Sequence, residues 1–472
     1  MSQQHQETKQ KQLSGAVREP GESKSNVFFD LKNPKSKNLL VVLFTIFLDV
    51  FGFSLLIPVL PLLLLDKTSS FYILDQSFEV STANLLYGFL TGIFPLVSFF
   101  AAPILGQLSD KYGRKNILLG SLLGTFLSYS LLAFGIITRN IGIIILSRIT
   151  GGIASGNVSV AHTVIADVSE SSEKNSNFGW SAAVYGLGII LGSYIGGQLS
   201  SSSLVSWFNA STPFVFASII SLINLGLAYF LLQESNKFIQ SNLVIKKFQS
   251  TISTFLALIR PSNYRNILIV SFLFQAGFTF VTTFVSVYFV HKLSWNAGDI
   301  GNFFGLAGIF IALTQLAMAK GLLKKFSNSS LLKTSIIGTA FTVIYLLFPS
   351  NTWQVFGIVP FFSFFSFLCL TNITSEISNS TSQTNQGEVL GLNSGFQNLA
   401  QAIPPLFAGL LAYIIESGSS NAKIPFYLTN SQLIIDSIPL VLAFLTMLLA
   451  WWIYTFRTHT EHYDNNINPR EL

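Results

Sequence analysis

Cysteine is almost missing from this chain: Cys369 is the only one in 472 residues, and it lies inside an apolar run. One thiol makes neither a disulfide framework nor a thiolate metal site. Charge is scarce as well. Asp, Glu, Lys and Arg make up 10% of the residues against 50% hydrophobic ones, and the mean hydropathy of +0.55 exceeds what a soluble domain of this length carries. The five histidines are scattered. With no His/Cys cluster, no nucleophile constellation and no phosphate-binding turn, the sequence argues against an enzyme and implies neither a cofactor nor a metal.

What is present is oil. Apolar runs long enough to cross a hydrocarbon core recur twelve times, at about 39–65, 82–106, 116–138, 141–165, 179–200, 213–233, 266–291, 300–320, 331–349, 353–376, 388–415 and 433–456. The first is longer than a signal-peptide core and is expected to act as its own insertion signal. Orientation follows from Lys and Arg, which are retained on the cytoplasmic side. One set of alternate segments holds seven in residues 1–38, three in 111–115, one at Lys174, five in 237–265, four in 320–333, and Arg457 and Arg470. The other set holds only Lys67, Arg139, Lys292 and Lys423. Both termini are therefore expected in the cytoplasm, at the plasma membrane or an endomembrane. The same asymmetry absorbs the net charge of +6, so nucleic acid is not implied as a partner.

The polar stretch 234–265 divides the spans six and six. The expected organisation is a disordered tail (1–38), a six-helix bundle (39–233), a linker (234–265), a second bundle (266–456) and a C-terminal tail (457–472). The two bundles read as repeats. At a constant offset of 212, span 5 falls on span 11 with Gly188 on Ala400, Gly192 on Pro404, Gly196 on Ala408 and Gly197 on Gly409, so small or helix-bending residues recur in place. A weak counterpart of the turn after span 2 follows span 8 at Gly321–Lys325. The fold class is thus all-α and integral to the membrane, with twelve transmembrane helices in two pseudo-symmetric six-helix bundles whose interface holds substrate.

Three stretches carry chemistry. Gly106-Gln107-Leu108-Ser109-Asp110-Lys111-Tyr112-Gly113-Arg114-Lys115 reads as a tight, wet turn between spans 2 and 3. Span 1 holds Leu48-Asp49-Val50-Phe51-Gly52 and Ile57-Pro58-Val59-Leu60-Pro61, and span 4 holds Ser147-Arg148-Ile149-Thr150-Gly151-Gly152, Gly156-Asn157 and Ala166-Asp167. Together with Gly188, Gly192, Gly196 and Gly197 in span 5, these stretches resemble the major facilitator superfamily, in particular its drug:proton antiporter branch. Bacterial tetracycline exporters and the eukaryotic tetracycline-transporter-like proteins are the nearest likenesses. The resemblance covers residues 45–235 well and the second half in outline. It makes the span 5 glycines an antiporter motif, in which Ser193 stands where proline is usual.

Asp110 and Arg114 are four apart and face each other if Arg114 opens span 3 as a helix. Asp167, and Glu376 in the corresponding place of span 10, complete a candidate cytoplasmic gate with Gly106 and Gly113; a carboxylate of this cluster also suits the positive N-terminus of span 11. A solvated basic loop explains the cations equally well, though not Asp110 with both glycines. Asp49 and Arg148 sit at compatible depths, about 15 and 19 Å from the cytoplasmic side. They are either a proton-exchanging couple or a static ion pair that fixes helix packing. Candidate cavity residues are Asn157, Asn224, Gln275, Asn372, Asn393 and Gln397, each of which also suits interhelical bonding. His162 and His291, near span ends, read as isolated interfacial residues.

Tetracycline exporters carry a further acid in the middle of helix 3, where this chain has Ser128. A small amphiphile, anionic or neutral, fits the charge balance better than a cation, and organic anion export is what the eukaryotic resemblance implies. The expected protein is a monomeric secondary exporter in the lipid bilayer, coupled to protons. The alternative is a transporter-shaped receptor or scaffold without turnover, against which the buried ionisable residues argue.

Overall fold

The computed structural model describes residues 33–170, 174–201, 205–236, 264–319, 326–380, 386–421 and 431–466. Helices account for nearly all of them: α1 (Pro34–Ser54), α2 (Leu60–Leu64), α3 (Val80–Tyr112), α4 (Arg114–Ile137), α5 (Ile141–Ser155), α6 (Asn157–Val168) and α7 (Lys174–Ser200), then α8 (Thr212–Leu231), α9 (Arg265–Leu293), α10 (Ala297–Ala319), α11 (Asn328–Tyr345), α12 (Thr352–Asn379), α13 (Gln386–Asn421) and α14 (Ser431–Asn466). Eleven spans among the described residues are long and apolar enough to cross a membrane. The remaining expected span contains α11, whose opening turns carry Asn328, Ser329, Ser330 and Lys333.

Two spans are broken. Pro58 has no N–H to give to Ser54 and its ring crowds that carbonyl, so the chain turns through residues 55–59 before α2. Ser193 Oγ donates to the same Ser54 carbonyl at 3.4 Å, which gives the serine in the proline position a structural use. Span 4 breaks at Gly156, between α5 and α6.

Several expected boundaries move. Helix α1 opens at Pro34, five residues inside the expected tail, because Asn33 caps it by accepting from Lys35 N at 3.0 Å and Pro34 fits the first turn. Helix α14 runs to Asn466, through most of the expected C-terminal tail. The rest of both tails, linker residues 237–263 and the Gly321–Lys325 counterpart lie outside the described residues.

Packing repeats itself between the halves. In the N-terminal half α1 packs on α7 and α8, α3 on α5, and α4 on α5 and α8. In the C-terminal half α9 packs on α13 and α14, α10 on α12, and α11 on α12 and α14, pair for pair. The halves meet where α3 lies on α13 and α7 on α10, two contacts that exchange under the same correspondence.

Glycine allows both contacts. A Cβ on Gly88 would strike the Pro405 carbonyl and lie 2.9 Å from Gly409 Cα, and one on Gly197 would strike the Ala297 carbonyl and lie 2.8 Å from Gly301 Cα. The close contacts of α3 and α13 fall near Asn84–Gly92 and Ala402–Glu416, and those of α7 and α10 between Gly186 and Gly197. Among the described residues, hydrogen bonds that join the halves on the same side include Asn84 Nδ2 to Glu416 Oε1 (2.9 Å), Tyr87 Oη to the Thr283 carbonyl (2.6 Å) and Gln198 Nε2 to Asn302 Oδ1 (3.0 Å). All lie at the end of the bundle away from Asp110–Lys115, so that end is closed.

Candidate functional site

Two charge clusters occupy the N-terminal half. The deeper begins with a stripe of glycines on α5 and the break that follows it. Cβ atoms on Gly152 and Gly156 would lie 2.7 Å from the Phe94 carbonyl and 2.9 Å from Ala102 N, so the span rides directly on α3. One turn earlier on the same helix, Arg148 is brought against aromatic rings. Its guanidinium sits 4.5 Å from the Phe94 ring centroid and 5.9 Å from that of Phe53. Arg148 is 1% exposed, and none of its three guanidinium nitrogens has a hydrogen-bond partner.

Asp49 is buried too, in α1. One carboxyl oxygen accepts from Thr125 Oγ1 at 3.4 Å and the other has no partner. Asn157 stands beside this carboxyl with both amide atoms outside hydrogen-bonding geometry. The expected ion pair between Asp49 and Arg148 is absent from the salt bridges among the described residues. The reason is lateral placement: α1 turns Asp49 toward Thr125 of α4 and Asn157 of α6, whereas Arg148 is held between the rings of Phe94 of α3 and Phe53, one turn beyond Asp49 on α1. Between them stands Tyr129 of α4, whose hydroxyl fills the space left by Gly52 and lies within electrostatic reach of both. Sequence reading missed Tyr129; its place next to Ser128 was the available signal. Ser128 itself bonds the Ser147 carbonyl at 2.8 Å.

The shallower cluster corrects the expected ten-residue turn. Helix α3 continues through Gly106 to Tyr112, and Gly113 alone separates it from α4. Gly113 has φ 93° and ψ 148°, a conformation that glycine adopts without steric cost. Arg114 Nη1 lies 2.6 Å from Asp110 Oδ1, its Nε lies 3.4 Å from Asp167 Oδ2, and Nη1 also reaches Ser109 Oγ at 2.5 Å.

The first residues of the expected linker complete this cluster, which no sequence pattern announces. Glu234 accepts from Arg114 N at 2.9 Å and Lys115 N at 3.1 Å, placing a carboxylate on the positive end of α4. Ser235 Oγ donates to Asp167 Oδ2 (3.1 Å) and Asn236 Nδ2 to the Asp110 carbonyl (3.3 Å). Asn38 and Gln233 exchange two further bonds, tying the start of α1 to the end of α8. Glu376 is half-buried near the end of α12, in the other half.

The span 5 glycines divide by partner. Gly188 and Gly192 lie against the α1 backbone at Phe47 and Phe51 and Gly196 against Leu55 just beyond it, whereas Gly197 faces Ala297 and Gly301 of α10. Helix α7 is thus clamped between its own half and the other. Among the polar candidates, Asn224 donates to Thr45 Oγ1 (3.2 Å), Asn393 accepts from Ser271 Oγ (2.7 Å) and Asn372 bonds the Leu368 carbonyl of its own helix (2.7 Å). Gln275 and Gln397 are half-buried. The histidines are not isolated. His162 Nε2 meets Ser181 Oγ at 2.9 Å, and His291 Nδ1 meets Asp436 Oδ2 at 2.6 Å, contacts between spans that no local pattern announces.

Two helical halves with matching packing that meet on two glycine-lined helix pairs, with unpaired charge buried in one of them, define a membrane transporter rather than an enzyme. The chain belongs to the Major Facilitator Superfamily, whose model matches residues 42–405. Among characterised relatives, the quinolone resistance protein NorA of Staphylococcus aureus (strain COL) is 30% identical over 380 residues, covering 80% of this chain and 90% of that protein. The class C tetracycline resistance protein of Escherichia coli is 28% identical over 390 residues, covering 79% and 89%. The fold is shared with two solved structures. The human organic anion transporter MFSD10 (TETRAN) has a TM-score of 0.64 at 21% identity over 89% of this chain and 100% of that one. A bacterial homologue of the lysosomal transporter Spinster, inward-facing and unoccupied, has a TM-score of 0.69 at 12% identity over 91% and 98%.

Proposed function

We propose that this transporter exports small amphiphilic organic molecules, anionic or neutral, in exchange for protons by alternating access, and that the structure is its cytoplasm-open state. The basic end of the bundle is assigned to the cytoplasm by the distribution of Lys and Arg, so the end sealed by α3–α13 and α7–α10 faces outward. Asp49 is the proton carrier, Arg148 and Tyr129 respond to its charge, and Asp110, Arg114 and Asp167 form the inner gate.

The observation that carries this reading is the separation of Asp49 from Arg148. A buried carboxyl held by one 3.4 Å hydrogen bond exchanges a proton without dismantling a salt bridge. The unpaired guanidinium meanwhile leaves a positive site at depth, which favours an anionic substrate group over a cation. Ser128, bonded to backbone, adds no acid to balance it. The drug-resistance relatives and the organic anion transporter fold support the substrate class.

The test is substrate-dependent proton flux in proteoliposomes, screened against organic anions, organic cations, neutral amphiphiles and neutral sugars. Coupled flux with anions or neutral amphiphiles is expected, and Asp49→Asn should leave substrate exchange but no dependence on a pH gradient. Unchanged gradient dependence in Asp49→Asn would defeat the proton role, and flux with cations alone would defeat the substrate assignment.

A further inference from the structure

A third set of charges lies at the closed outer end, remote from Asp49. His291 is in the last turn of α9, with 22% side-chain exposure, and its Nδ1 is 2.6 Å from Asp436 Oδ2 of α14, whose side chain is 3% exposed. Gln432, one turn earlier on α14, donates to Asp436 Oδ1 at 3.3 Å. Glu416 of α13 lies within electrostatic reach of both His291 and Asp436. These residues belong to the C-terminal half.

The N-terminal half meets them directly. Asn84 of α3 donates to Glu416 Oε1 at 2.9 Å, while the Leu65 carbonyl and Asp66, which follow α2, face the His291 ring. A cavity lined by Asn84, Phe284, Gly409, Ala412 and Asp436 adjoins the cluster. Lys292, the nearest cation on α9, is turned away to Tyr288 Oη (3.0 Å) and the Leu347 carbonyl (2.5 Å). One imidazole therefore collects three carboxylates, Asp436, Glu416 and Asp66, from both sides of the boundary that must part when the outer end opens.

We propose that His291, with Asp436 and Glu416, is a proton-operated outer latch: a proton taken from the outer medium holds that end shut. The sign follows from donor count. A neutral imidazole has one N–H and one lone pair, so if it donates to Asp436 it turns a lone pair toward the Leu65 carbonyl and Asp66. The imidazolium donates from both nitrogens, satisfying Asp436 in its own half and the Leu65–Asp66 segment in the other. Opening removes the second set of partners, so the closed form binds the proton more tightly. Acidifying the outer medium then favours closure, and raising its pH favours opening. For one proton the ratio of states changes by at most about tenfold per pH unit. The latch needs neither Asp49 nor substrate, so its failure and that of the coupling proposed above are separable.

The experiment is spin-label distance measurement on the full chain in nanodiscs, with Thr138→Cys at the outer end of α4 and Trp353→Cys at the outer end of α12. Both positions are exposed, and the native Cys369 is buried. Between about pH 5 and 8, the range over which histidine changes charge, the outer-open fraction should rise in the parent protein and in Asp49→Asn. On the Asp49→Asn background, where only the latch can respond, the same fraction should be flat with pH once His291→Gln is added. Asp436→Asn, which keeps the shape but loses the charge, should flatten it as well and serves if His291→Gln fails to fold. A parent protein with no pH response, or a folded His291→Gln or Asp436→Asn that keeps the full response on that background, overturns the latch.

Discussion

The two charge clusters of the N-terminal half are built on opposite plans. At the basic edge Arg114 has two carboxylates, a hydroxyl and a capped helix start around it, and Asp167 and Ser109 each have a second tie. At depth Arg148 has two aromatic faces and no hydrogen bond, and Asp49 has one. The shallower cluster surrounds a largely buried Arg114, its side chain 11% exposed, with carboxylates that stay partly solvated at 43% and 31%, so pairing offsets the desolvation and the cluster serves as a fastener. The buried one forgoes pairing although desolvation there is severe, a cost that a purely structural site has no reason to carry.

Substitutions can break this contrast, and the largest effect is expected in the buried cluster. Arg148→Met removes an unpaired buried charge at similar volume; thermal unfolding should show equal or higher stability, by about 1 kcal/mol or more, while substrate transport falls to background. Lower stability would make Arg148 a structural residue and erase the difference between clusters. Next, Gly113→Ala places a Cβ at φ 93° against the Glu234 carboxyl and should cost about 1–3 kcal/mol in the same measurement. Arg114→Ala leaves Asp110 and Asp167 facing each other without a cation, and about 1–3 kcal/mol should be lost; parity with the wild type would mean the fastener is ornamental. Glu234→Gln weakens the charge at the α4 N-terminus, with about 0.3–1 kcal/mol expected, reduced further by salt. At the small end, Lys35→Ala opens the 3.3 Å pair with Glu170, whose side chains are 59% and 67% exposed, and should leave the melting temperature unchanged.

Much of this was legible beforehand, and for identifiable reasons. Span positions follow from hydropathy over lengths that tolerate an error of several residues, and the small-residue register of spans 5 and 11 marks two helices that press against other backbones at Gly88, Gly192, Gly197 and Gly409. The i, i+4 relation of Asp110 and Arg114 is local and therefore readable. What escaped is angular or distant. Depth estimates put Asp49 and Arg148 at one level but say nothing about which neighbour each helix face meets. Glu234 lies 120 residues from the amide it caps. His291 and Asp436 are 145 apart, so neither could be recognised as the other's partner.

The sequence alone determined that this chain crosses a membrane many times, which end carries the positive charge, and that it contains two related halves, because burial in oil constrains composition over every twenty-residue stretch. Only the tertiary structure decided which charges touch. Pairing inside a bundle depends on helix rotation and on close approach at single glycines, and a shift of one residue turns a side chain by about 100° around its axis.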